Sequence, residues 1–404
     1  MPTQFRYSLF AMCIAAAVPQ FATAQTFEDL EARLRGHPSL IAMDYRASAQ
    51  EERAVAATAL PDPVVSLGIN NFPIYDPSFN AYLPTNKAVG IRQQFPNLAG
   101  REARAGQARA MADQTSTQLE ARYAALRSDL LALLIEKRRI ETQRSLANAR
   151  NAKYDELLDV AEAEIDSGRP VVYRLAEIEG ERTEVDRTLV DLDKQEAEIN
   201  ARFIDLVGLV PVGTDPQVTL EPWSGRALDF HLVRVAESEI EVTDYAIDEA
   251  KSEWKPEWGA QLTYQQRDAG AMFAGDDWVS GMVTFTVPIW AERKQAPRLR
   301  AAKAERASAE QRYQAAARTA AAQYAALDAA IRSAERSMSV IQTRISAIED
   351  EVAAQLTIYE SGVGGYAPII DGEIAILKLK SEIAAEQSRR DIATARSNAL
   401  LVQP

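Results

Sequence analysis

The chain has 404 residues, 47% of them hydrophobic, and a formal net charge of −13. The acidic balance and the lack of any Lys/Arg run argue against nucleic acid as a partner. Cys13 is the only cysteine, and it falls in a leader, so disulfides and thiol chemistry are excluded from the remainder.

Residues 1–24 read as a secretory signal. Arg6 supplies the positive region, Leu9 to Val18 a short apolar run, and Ala22-Thr23-Ala24 a cleavage site before Gln25. The run falls short of the roughly 20 apolar residues a membrane anchor needs. Lipidation of Cys13 would want a small residue where Met12 stands. No later stretch is apolar enough for a transmembrane helix, so entry into a membrane would have to be as β-strands.

A helix is predicted over Thr26 to Leu60, ended by Pro61 and Pro63. Val64 to Phe72 and Ala88 to Phe95 alternate apolar and polar residues, the pattern of half-buried strands. A rod follows from Arg101 to Asp166. Leu119, Leu126, Leu133, Ile140, Ala147, Tyr154 and Ala161 recur every seven residues. The partner positions include Lys137, Arg144 and Asn151, which either face a water-filled lumen or form a weak, sliding seam. Ser167-Gly168-Arg169-Pro170 breaks the rod, and Pro170 suits the first turn of a helix running to about Val207. Gly208 to Gly225 is a connector rich in Pro and Gly.

The order then repeats at an offset near 194 residues, with His37 falling on His231 and Ser167-Gly168 on Ser361-Gly362. A helix is predicted from His231 to about Trp254, strands over Gly259 to Gln265 and Val279 to Val287, and a second rod. In that rod Tyr313, Ala317, Ala320, Tyr324, Leu327, Ile331, Ala334, Met338, Ile341, Ile345, Ile348 and Val352 alternate spacings of four and three, a coiled-coil seam. No Gly or Pro lies between Arg298 and Ser361, so the helix is about 100 Å long at 1.5 Å per residue. A Gly-containing turn and a last helix to about Leu401 complete the chain. The division is thus two structural repeats, 25–207 and 230–404, joined by residues 208–229.

Four strands of this length suit a membrane wall, and Trp254, Trp258, Trp278 and Trp290 flank the second hairpin as an aromatic girdle would. The alternative is a small soluble sheet packed on the helices. Four strands cannot close a barrel, and lipid tolerates no open edge. Three subunits would pool twelve. The fold class expected is mainly α with a small β part: a long helical coiled-coil barrel plus four transmembrane strands per subunit in a trimeric barrel.

These residues resemble the TolC-like outer membrane factors, the exit ducts of tripartite efflux pumps and type I secretion systems. The likeness rests on Tyr359-Glu360-Ser361-Gly362 through Tyr366, Ile369, Ile370 and Asp371, and on its weaker partner Ser167-Gly168 through Leu175 and Glu177. Gln94-Phe95-Pro96-Asn97-Leu98-Ala99-Gly100-Arg101 and Val287-Pro288-Ile289-Trp290 look like the family's strand-to-rod junctions. Leu60-Pro61-Asp62-Pro63 and Lys255-Pro256-Glu257-Trp258 look most like the branch serving heavy-metal (cobalt-zinc-cadmium or copper) efflux.

The resemblance implies a homotrimer in the outer membrane of a Gram-negative bacterium, with most of its mass in the periplasm. It implies as partners a periplasmic adaptor and, through it, an inner-membrane pump of the RND type. The tips at Gly168, Arg169, Pro170 and Val171 and at Ser361, Gly362, Val363 and Gly364 would dock the adaptor. Asp371 and Glu177 would be a periplasmic gate, a ring of acidic side chains favouring cations. The plainer reading of both is a solvated carboxylate early in a helix. No enzyme constellation, cofactor site or metal site is present. A type I secretion duct and a poreless periplasmic coiled-coil adaptor or scaffold are the rival functions.

Overall fold

The structure, a computed structural model, describes residues 26–168 and 172–402. The leader and three of the expected tip residues, Arg169, Pro170 and Val171, lie outside the described residues. Helix α1 spans Phe27–Arg35 and α2 Pro38–Thr58, so the single helix expected over this stretch is two. Gly36 closes α1, its N–H donating to the carbonyl of Arg33 and the next N–H, of His37, to that of Leu34. The ring of His37 then caps α2, and Pro38 occupies its first turn, where a missing N–H costs nothing but from which α1 cannot continue.

Strands β1 (Val64–Asn70) and β2 (Asn86–Phe95) lead into α3, Leu98–Asp166, a helix of 69 residues. Asn97 caps it, accepting from the Gly100 N–H at 2.7 Å. Helix α4 follows over Val172–Val207. After the connector come α5 (His231–Ser252), β3 (Trp258–Gln266), β4 (Trp278–Phe285), α6 (Gln295–Glu360, 66 residues) and α7 (Ala367–Leu400). Among the described residues no helix is long and apolar enough to cross a membrane.

The elements form a strip rather than a ball. Nearest the sheet the helices lie in the order α2, α3, α5, α6, and toward the far end α4, α3, α7, α6. Small residues set the spacing: a Cβ at Gly106 of α3 would sit 2.3 Å from the Tyr245 ring of α5, so these helices approach as only glycine allows. The predicted α3 seam is buried from Leu126 through Leu133, Ile140, Ala147 and Tyr154 to Ala161. Its polar middle is paired with α4 and the connector. Arg144 bridges Asp193 at 2.8 Å and Glu196 at 2.6 Å on α4. Asn151 donates to Asp186 at 3.0 Å, and Lys137 to the Pro211 carbonyl. The α6 seam is likewise turned inward, with Ala320, Ile331, Ala334 and Ile345 buried.

The four strands form one antiparallel sheet in the order β1-β2-β3-β4. Residues directly opposite in an antiparallel pair share a face. Val65 pairs with Ile91 and that with Leu262; Leu67 pairs with Val89, Val89 with Tyr264, and Tyr264 with Val279. The other face carries Ser66, Gly90 and Thr263 in one row and Arg92 with Gln261 in the next. One face is therefore mainly apolar across all four strands, interrupted by Gln93 and by Lys87 with Gln266, and the other is mainly polar, with Val64 and Met282 at the ends of the Arg92 row. Neither packs on a helix: β1 and β4 are exposed throughout, with Leu67 at 79% and Phe285 at 70%. The expected half-burial, and the soluble sheet lying on helices, are both absent from the single chain. The expected girdle is also redrawn at one of its four tryptophans. Phe95, Trp258 and Phe285 are register partners on the apolar face at its helical end, the first two stacked at 4.2 Å. Trp278 is instead paired with Gln265 on the polar face, beneath the Arg267 guanidinium.

Candidate functional site

The far end of the rods holds the expected tip and gate residues. Helix α3 closes at Ser167, whose hydroxyl donates to the Glu164 carbonyl at 2.7 Å. Gly168 takes φ +87°, a left-handed cap that favours glycine. The second tip is built alike. Ser361 ends α6 with its hydroxyl on the Ile358 carbonyl at 2.6 Å, and Gly362 takes φ +79°. Val363, 84% exposed, stands at the extreme end. A Cβ on Gly364 would meet Ile358 at 2.9 Å, so the chain folds back hard on its own helix. Tyr359 and Tyr366 face each other across the turn, centroids 5.2 Å apart.

The two tips share one core. Tyr154, Leu157 and Ala161 of α3, Ile178 and Val185 of α4, and Ile370 and Ile374 of α7 pack as a single cluster. Just beneath it the candidate gate residues meet. Asp371 on α7 and Glu177 on α4 both bind Arg174, the first through Nη2 and the second through Nη1 at 3.1 Å. The carboxylates are not a bare acidic ring; they hold one guanidinium that ties α4 to α7. Burial pushes the Asp371 carboxyl above the usual carboxylate range, with Glu181 and Glu177 adding to the rise and Arg174 opposing it.

Further ties surround this triad. Lys153 of α3 bridges Glu373 of α7 and Glu156, both at 2.9 Å, and these partners raise its pKa against the effect of burial. Arg182 of α4 reaches Asp155 of α3 at 3.1 Å. The buried Tyr154 hydroxyl donates to Glu181. Sequence reasoning missed Arg174 and Lys153. The spacing of Arg174 three residues before Glu177 on one helix was a usable signal; its pairing with Asp371, far along the chain, left none. Among the described residues no group of His, Cys, Asp and Glu is placed to hold a metal ion.

No family model matches the chain, and no curated protein does. Solved structures do, at 14% identity in each case cited. VceC, an outer membrane protein of Vibrio cholerae, superposes with a TM-score of 0.74 over 93% of this chain and 95% of its own. CusC, described for the changes accompanying its folding and transmembrane channel formation, gives 0.77 over 97% and 96%. The open state of the Neisseria gonorrhoeae MtrE outer membrane channel gives 0.70 over 93% and 88%. Across nearly its whole length, then, the chain takes the fold of these outer-membrane channels: long helical rods carrying a four-stranded sheet.

Proposed function

We propose that three copies close into a tube and serve as the outer-membrane exit duct of a tripartite efflux system. The observation that carries this reading is the sheet. Mainly apolar on one face, mainly polar on the other, uncovered on both and unpaired along β1 and β4, it has the character of a segment of barrel wall between lipid and water.

The helices ask for the same closure. Opposite its buried seam, α6 carries a second one: Ala315, Thr319, Ala322, Ala326, Ala329, Ser333, Arg336 and Val340 recur at spacings of four and three, all exposed. At the other edge of the strip α4 exposes Gly180, Thr183, Arg187, Val190, Lys194, Ala197, Ala201 and Ile204 with the same period. Above it α2 exposes Ala42, Tyr45, Ala49, Glu52 and Ala56. A stave of a ring needs two seams, and the edge helices have them. The β4/α6 edge of one copy would meet the β1/α2/α4 edge of the next, a head-to-tail contact that closes by rotation.

In this reading the sheet end lies in the outer membrane and the rods in the periplasm. The tips at Gly168 and at Ser361 to Gly364 dock an adaptor helix against helix, and the pump beyond the adaptor supplies the energy. The Arg174 triad holds the entrance shut. Heavy-metal cations are the substrate class proposed, on the motifs Leu60-Pro61-Asp62-Pro63 and Lys255-Pro256-Glu257-Trp258. The two halves of the chain are proposed to be copies of one ancestral unit.

Planar-bilayer recording on the purified protein tests the duct. Discrete conductance steps and a heat-sensitive trimer band are expected; the absence of both would leave a scaffold. A deletion strain challenged with Cu, Zn, Co and Cd salts beside detergents and dyes tests the substrate class.

A further inference from the structure

The two histidines lie 194 residues apart at matching positions, yet only one is satisfied. His37 Nδ1 accepts from the Ser39 N–H at 3.2 Å and lies 2.7 Å from the Ser39 hydroxyl. At the same offset Ser39 falls on Val233, so His231 has no local hydroxyl to meet. Its Nδ1 is buried without a partner on a side chain only 9% exposed. Burial holds its pKa below the ordinary histidine value, so the ring is neutral at neutral pH and presents one N–H and one lone pair.

His231 lines a cavity of about 530 Å³, within the range of small-molecule sites. Helix α3 forms its floor, with Leu40 of α2 on one side and Leu401 beyond α7 on the other. Ser128, 6% exposed, also lines it, and its hydroxyl is a second buried polar atom without a partner. Two such atoms at one apolar cavity are costly to leave unmet. The charges at the rim are two of each sign: Arg35 and Arg127, Asp44 and Glu120. Arg127 is already paired with Glu31, and Arg35 lies over the Tyr123 ring. The two signs balance, so the rim carries no net charge to favour an ion of either kind.

We propose that this cavity binds one small uncharged amphiphile per chain, its ring or short alkyl body against the apolar lining and a single hydroxyl or carbonyl hydrogen-bonded to His231 and Ser128. Every lining residue comes from one chain, and Leu40 of α2 faces inward while Ala42, Tyr45 and Ala49 are exposed. The site does not rest on the conduction reading.

The test is calorimetric titration of 2-naphthol into the full-length protein in phospholipid nanodiscs. Saturable binding at one per chain is expected, abolished by Ala124→Trp, which fills the cavity. His231→Phe and, as the milder change, Ser128→Ala each weaken binding about tenfold. Naphthalene, which lacks the hydroxyl, binds wild type and Ser128→Ala alike. Partitioning without saturation overturns the proposal, as does full binding by Ala124→Trp. So does a neighbouring copy over the mouth, seen as Asp44→Cys shielded from maleimide in the assembled protein. Binding that appears only after Gln403 and Pro404 are deleted would assign the cavity to the chain's own end instead.

Discussion

Arg174 holds two carboxylates that come from different halves of the chain, Glu177 beside it on α4 and Asp371 on α7. Its side chain is 30% exposed and that of Asp371 45%, so the tie contributes about 1 kcal/mol or less to stability. Replacing Arg174 by Ala should therefore leave Tm nearly unchanged while raising conductance several-fold in the bilayer; an unchanged conductance would return the triad to a surface role. The pH response has a definite sign. A carboxyl whose folded pKa is raised favours its proton in the folded state, so acidification protonates Asp371 above the ordinary carboxylate range. Protonation neutralises the carboxylate and loosens Arg174, so conductance should rise as pH falls through the range just above that of ordinary carboxylates. Asp371→Asn should conduct more at neutral pH and lose this acid step. The carboxylates were legible from the chain because each follows a turn glycine at a matching distance. Arg174 as their shared partner was not, because an ion pair between distant segments has no local signature.

Helices α6 and α7 approach closely beside the tip. A Cβ on Gly372 would stand 2.4 Å from Val352 Cγ2, and a β-branched neighbour cannot swing aside. Gly372→Val should destabilise by about 1–3 kcal/mol through overpacking, read as a lowered Tm. Val352→Ala in the same chain should recover much of that loss, a coupling expected only for residues in contact. Additive effects would place the two apart. Gly372 drew no notice in the sequence, since a lone glycine early in a helix reads as tolerated punctuation. The α6 seam itself was plain, because a spacing of four and three repeated over forty residues is a strong periodic signal. The polar stretch of the α3 seam was ambiguous for the converse reason: Lys137, Arg144 and Asn151 suit water or acids equally, and only the fold shows that Asp193, Glu196 and Asp186 on α4 are partners of the last two.

A strip with two unpartnered edges is the molecule's defining shape. Its outer α6 seam is exposed in one chain and would be buried in three. Ala326→Glu with Ala329→Glu should leave the folded subunit intact, judged by helical circular dichroism, and abolish the heat-sensitive trimer. Trimer retention would remove α6 from the joint. This double change separates folding from assembly because both positions point away from the core.

The sequence by itself determined what is periodic or local: the rods, the four strands and their alternating faces, the turns at Gly168 and Gly362. Repeating patterns and turn chemistry act within a few residues of one another. It misjudged what hangs on a single break, as where Gly36 and Pro38 divide one helix into two. Only the tertiary structure decided which segments meet. It joined the two hairpins edge to edge into one sheet, brought Arg174 to Asp371, and left His231 facing a cavity while its counterpart His37 caps a helix. Those contacts span most of the chain. They are fixed by packing shape and by which polar atoms find partners, and neither property is carried by any one stretch of sequence.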